Sequence, residues 1–206
     1  MTQDQTPIST ALDEETARAE VYGLLATLLH AAPSANLHAS LQLAVTQAPA
    51  PGALLEEPWS ALVASARTMS CADISREFDA LFGGMGKPEI TLFGSHYLSG
   101  FLNEKPLVVL RTDLAELGLG RDETQSVTED HVAYVFEVMR FLIAGDDVAV
   151  SNLTRQRTFF ARHVQSWLPA MCNALAQHPK AVFYRDVGLF TEAFINVESQ
   201  GFDMLE

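Results

Sequence analysis

Cysteine is almost absent from this 206-residue chain: Cys71 and Cys172 are the only two, 101 positions apart and in no redox or metal-binding spacing. A disulfide framework is therefore unsupported, and two reduced thiols are expected. Positive charge is scarce too, with 13 Lys and Arg against 26 Asp and Glu and a formal net charge of −13. The deficit runs the whole length: two basic and seven acidic residues in 1–70, five and nine in 71–127, six and ten in 128–206. With no basic cluster to neutralise phosphate, the composition argues against nucleic acid and anionic membrane as partners and favours a cationic one. No stretch approaches the roughly 18 apolar residues needed to span a bilayer, and the N-terminus, MTQDQTPIS, has neither a basic region nor an apolar run. The expectation is a soluble, cytoplasmic protein with no stable membrane insertion.

Catalytic signatures are missing as well. No serine has glycine at both flanking second positions, and there is no HExxH. A di-iron bundle needs Glu three residues before His on two helices, but that position holds Thr27, Ala35, Phe93, Thr128, Phe160 or Leu175. The run from Gly83 to Lys87 only superficially matches a phosphate loop, since Leu81 stands where the first glycine belongs and Pro88 where Ser or Thr is required. A helix C-cap explains its glycines better. No cofactor and no metal are expected.

What the chain does have is helical periodicity. Hydrophobic residues make up 48% and charged ones 19%, enough for one sizeable core. Helices are expected over about Asp13 to Ala31, Ala35 to Gln47, Leu54 to Met69, Ala72 to Phe82 and Lys105 to Leu117. A central helix follows from Ser126 to Ala144, opened by a Ser126/Glu129 capping box, or by Thr128, and apolar on two stripes. After it come a long helix from about Val148 to Gln177, kinked by Pro169, and a last one from Ala181 to about Ser199. Residues 85–104 mix Gly, Pro and aromatics and read as an ordered connector. The fold class is all-α: a single compact domain of roughly eight helices, in two packed halves (about 12–84 and 105–200) joined by the Gly/Pro connector.

Asp130 and His131 stand out as adjacent ionisable groups at the start of an otherwise apolar helix, with Glu137 about two turns along. The aromatics Phe78, Phe82, Phe93, Tyr97 and Phe101 gather around the connector, where an aromatic groove beside acidic side chains suits an amphipathic, positively charged peptide.

Four stretches taken in order resemble the TorD/DmsD family of redox-enzyme maturation chaperones. They are Arg76-Glu77-Phe78 to Leu81-Phe82-Gly83; Phe93-Gly94-Ser95-His96-Tyr97; Glu129-Asp130-His131; and His163 to Trp167 followed by Phe183-Tyr184-Arg185. Arg18 and Tyr22 to Leu25 extend the likeness loosely toward the N-terminus. The departures are GMGKPEITL, with Pro88 alone where the family is richer in proline, and Val135 where some members carry Glu.

The resemblance implies a non-enzymatic cytoplasmic chaperone that binds the twin-arginine signal peptide and the apo-protein of a molybdopterin oxidoreductase. Peptide-binding positions fall on Asp130, His131, Glu77, Leu81, Phe82, Phe93, Ser95 and Tyr97. Carboxylates at Asp130 and Glu77 would meet the arginines, and the apolar residues the hydrophobic stretch. A monomer or a dimer with exchanged halves fits the connector. The alternatives are a small acid-base enzyme using Asp130 and His131, and an acidic helical scaffold.

Overall fold

The structure is a computed structural model that describes residues 10–47, 53–83, 87–102, 104–121 and 127–204. Those residues form ten α-helices and one π-helical turn, with no strand beyond an isolated bridge, so the fold is all-α. In chain order the helices are α1 (Thr10–His30), α2 (Ala35–Leu43), α3 (Glu56–Thr68), α4 (Cys71–Phe82), α5 (Gly94–Ser99), α6 (Lys105–Glu116), α7 (Val132–Ala144), α8 (Leu153–Phe160), α9 (Leu168–Gln177) and α10 (Phe183–Asp203).

The apolar stripes read from the sequence make the core. Leu25, Leu28 and Leu29 of α1 are fully buried together with Phe136, Met139 and Leu142 of α7, and α1 and α7 form the most extensive helix pair. α10 packs on α9 and on α3, carrying Phe183, Val187, Phe190 and Phe194 inward. Each fully buried Leu or Phe contributes about 1.5–3 kcal/mol. The two longest helices, α1 and α10, are joined by a buried ion pair. Arg18 donates to both oxygens of Glu198 at 2.7 and 2.9 Å, and the Tyr22 hydroxyl donates to Glu198 at 3.0 Å.

Several boundaries differ from expectation, each for a visible reason. The second helix stops at Leu43 because α3 takes its next carbonyls: Arg67 donates to Gln42 and Ala44, and the Trp59 indole to Val45. The long helix expected over Val148 to Gln177 is broken rather than kinked. Turns around Asp147 delay its start until Asn152 caps α8, accepting the Arg155 N–H at 3.0 Å. It then passes through a π turn at Ala161–Gln165 and restarts as α9. Pro169 has no N–H to continue the ladder, and it sits where a new helix tolerates it, in the first turn of α9.

The connector holds the element the sequence did not disclose, the six-residue α5. It ends on Gly100, whose φ of +81° is a left-handed cap that favours glycine. Gly118, at φ +72°, closes α6 in the same way.

The central helix starts later than expected. α7 begins at Val132, and its N-cap is His131. Ser126 lies outside the described residues, while Thr128 hydrogen-bonds to Asp130 instead of capping the helix. His131 is extended because it pairs with Phe93 of the connector, and Glu129 and Asp130 just ahead of it form a turn closed by the His131 N–H on the Thr128 carbonyl.

Candidate functional site

The connector and the entry to α7 are held together by backbone. Gly94 N–H donates to the Asp130 carbonyl at 2.9 Å and Val132 N–H to the Leu92 carbonyl at 2.8 Å, an antiparallel bridge between Phe93 and His131. This pairing brings Phe93 and His131 face to edge, ring centroids 5.0 Å apart.

Asp130 sits beneath the bridge, 4% exposed. Its Oδ2 accepts the Ser95 N–H at 2.9 Å and its Oδ1 the Thr128 hydroxyl at 2.6 Å. Ser95 is in the first turn of α5, whose own N-cap, Phe93, has no side-chain acceptor. Asp130 therefore caps α5 from another part of the chain, where a carboxylate also meets the positive end of the helix dipole.

Glu77 does the same for α10. Its carboxylate accepts the backbone N–H groups of Val182, Phe183 and Tyr184 at 2.8, 3.1 and 2.8 Å, and the N-cap position Val182 offers no acceptor of its own. Both acids proposed from sequence to receive guanidinium groups are thus turned toward backbone donors, which the structure brings from 35 and more than 100 positions away.

His131 is 7% exposed and faces His30 and Tyr134, with centroids 6.1 and 5.9 Å away. Burial, reinforced by His30 and opposed by Asp130, lowers its pKa to about 4, so the ring is neutral at pH 7. The Ala133 N–H donates to Nδ1 at 3.3 Å, which leaves the ring proton on Nε2. Asp130 and His131 accordingly serve different elements, α5 and α7, rather than working as one dyad.

The other expected residues divide by exposure. Ser95 is buried and Leu81 fully so, whereas Phe93, Tyr97 and Phe82 are half-buried. Phe82 packs edge-on against Tyr184. The Tyr97 hydroxyl donates to the Thr91 carbonyl at 2.8 Å, and its ring stacks on Trp167, centroids 5.7 Å apart; burial raises its pKa to about 12. Gly94 lies against the same indole, where an added Cβ would come within 3.0 Å of ring atoms. So Phe93, Tyr97 and Ser95 share the connector site with Asp130 and His131, while Glu77, Leu81 and Phe82 belong to the α4–α10 junction.

Several contributors escaped the sequence reading. His30 and Tyr134 complete the ring cluster, 5.8 Å apart. Arg111 grips Glu129 with two bonds of 3.0 and 2.9 Å, tying α6 to the entry of α7. Asp113 accepts from Arg162 and pairs with His163 at 2.6 Å, tying α6 to the π turn. These bonds hold Asp113 and Glu129 below the usual carboxylate range despite partial burial. No signal short of tertiary structure pairs residues so far apart. At the end of α5, Leu98, Phe101 and Leu102 expose 44%, 70% and 51% of their surface. Among the described residues no group of three His, Cys, Asp or Glu is placed to hold a metal ion. No described helix is long and apolar enough to cross a membrane.

A family model described as the nitrate reductase delta subunit matches residues 49–173. Chaperone protein TorD of Vibrio parahaemolyticus is 24% identical over 135 residues, 62% of this chain and 63% of that protein. The match thus spans rather less than two thirds of the relative's length.

Proposed function

We propose, from the premise that this chain belongs to the nitrate reductase delta subunit family and is of the TorD/DmsD chaperone type, that it binds the twin-arginine leader and the apo form of a molybdoenzyme catalytic subunit. Acting in the cytoplasm, it holds the client back from export while its cofactor is inserted. It does no chemistry on the client.

The observation that carries this reading is the cluster of Phe93, His131, Tyr134 and His30 at the connector bridge. α1 ends at His30, so its unpaired carbonyls place partial negative charge beside two half-buried aromatic rings. Guanidinium groups stack on such rings and bond such carbonyls. A neutral His131 does not repel them, and its Nε2–H can donate to a leader carbonyl. The exposed Leu98, Phe101 and Leu102, at the end of α5, would receive the apolar stretch. In this arrangement Asp130 and Glu77 shape the site by capping α5 and α10, and Ser95 and Tyr97 fix the connector to Asp130 and Trp167.

Titration calorimetry of the purified chain against twin-arginine leaders of molybdoenzymes from the same genome tests the proposal. One leader should bind tightly, and its Ala-Ala version should not. Equal affinity for both versions, or none for any leader, would overturn it.

A further inference from the structure

At the opposite end of α1 from the connector, α1, α10 and the starts of α3 and α8 enclose a groove of about 710 Å3. Its walls are apolar: Val21 from α1 and Phe194 and Phe202 from α10, with Leu54, Leu153 and Met204 around the openings. Those last three expose 66%, 45% and 80% of their surface. An apolar groove with exposed apolar residues among its lining is the kind of surface that marks an interaction site.

Charge narrows the choice of occupant. Glu14, Glu15 and Glu198 line the groove with one cation, Arg18. Arg18 is taken up by its two bonds to Glu198. Glu14 and Glu15 therefore leave the mouth net negative, on a chain that is itself strongly acidic. An apolar trough with an acidic mouth complements a segment with apolar residues on one face and Lys or Arg on the other.

We propose that this groove is a second docking site, for an amphipathic cationic segment of the client's mature apo-protein. Twelve helical residues separate Arg18 from His30, or roughly 18 Å at 1.5 Å per residue, so leader and mature segment can be held at the two ends of one helix. The source of the partner rests on the chaperone reading; the groove's chemistry does not.

The test uses a 20-residue probe peptide with Leu and Lys at helical spacing, a version with Glu for Lys, and a leader peptide, all titrated into the full chain by fluorescence anisotropy. The Lys peptide should bind, the Glu peptide should not, and saturating leader should leave the Lys peptide's affinity unchanged. Glu14→Lys with Glu15→Lys, and separately Leu54→Asp with Met204→Asp, should each weaken the Lys peptide at least tenfold while leader affinity stays within twofold. These positions lie at the groove's mouth rather than in the core, and unchanged circular dichroism checks that the variants fold. Indifference to both pairs of substitutions, equal binding of the Glu peptide, or competition with the leader would overturn the proposal. So would a concentration-dependent dimer in light scattering that either pair of substitutions abolishes, because it would assign the groove to a second copy of the chain. Failure of the leader to bind wild-type chain would count against the chaperone reading alone, since the probe titration does not depend on it.

Discussion

His131 makes the stability of this protein depend on pH in a particular window. Its pKa falls from about 6.5 in an unfolded chain to about 4 in the fold. A depressed pKa means that the unfolded state binds the proton more readily. The stability contributed by the neutral buried ring is therefore complete above pH 6.5 and lost as pH falls toward 4, amounting to about 3 kcal/mol. Urea denaturation at pH 7, 5.5 and 4 should show that loss, and His131→Asn, which retains an acceptor for the Ala133 N–H, should flatten it. An equally steep fall in the variant would remove His131 as the cause. The adjacency of Asp130 and His131 was visible in sequence. Their separate duties were not, because Ser95, Phe93 and His30 reach them only through the connector bridge and the packing of α1 on α7.

Helix starts set the limits of what could be read at the level of elements. Two starts that carry their own serine cap fall within one residue of the expectation: Ser34 opens α2 and Ser70 opens α4, each accepting an N–H three residues on. Other starts differ from the expectation. α5 has no local cap and went unseen, and α7 was started too early because Ser126 and Glu129 look like a capping box while His131 is the residue that caps it. The apolar stripes were legible throughout because periodicity is local; the break before α9 needed the π turn and Trp167, which a proline alone does not specify. Glu77 provides the sharpest test at this scale. Glu77→Ala leaves three N–H groups at the start of α10 without their acceptor and should cost about 3 kcal/mol, read as a lower urea midpoint with an unchanged m-value. Glu77→Gln, which keeps one acceptor oxygen, should cost about half as much. A stability within about 0.5 kcal/mol of wild type for the Ala variant would show that the capping bonds contribute little.

Across the whole molecule the helices before and after the connector interleave: α1 packs on α7 and α3 on α10, with the Arg18–Glu198 pair crossing between them. The connector is consequently pinned on several sides, by its bridge to residues 130–132, by Trp167 against Gly94 and Tyr97, and by Asp130 beneath α5. If the connector is the leader's docking surface, as proposed, it is shaped before the client arrives, which lowers the ordering cost of binding. Asp130 is the residue on which that claim turns, since its carboxylate either organises the surface or meets the arginines directly. Asp130→Asn keeps an oxygen for the Ser95 N–H and removes the charge; Asp130→Ala removes both. The most direct measurement is the calorimetric affinity of a twin-arginine leader for wild type and these two variants. Capping predicts that Asn stays within about threefold of wild type while Ala weakens binding at least tenfold, the loss of a buried cap being about 1–2 kcal/mol. If Asn loses as much affinity as Ala, the charge itself contacts the leader, and the capping role assigned to Asp130 at the site is contradicted.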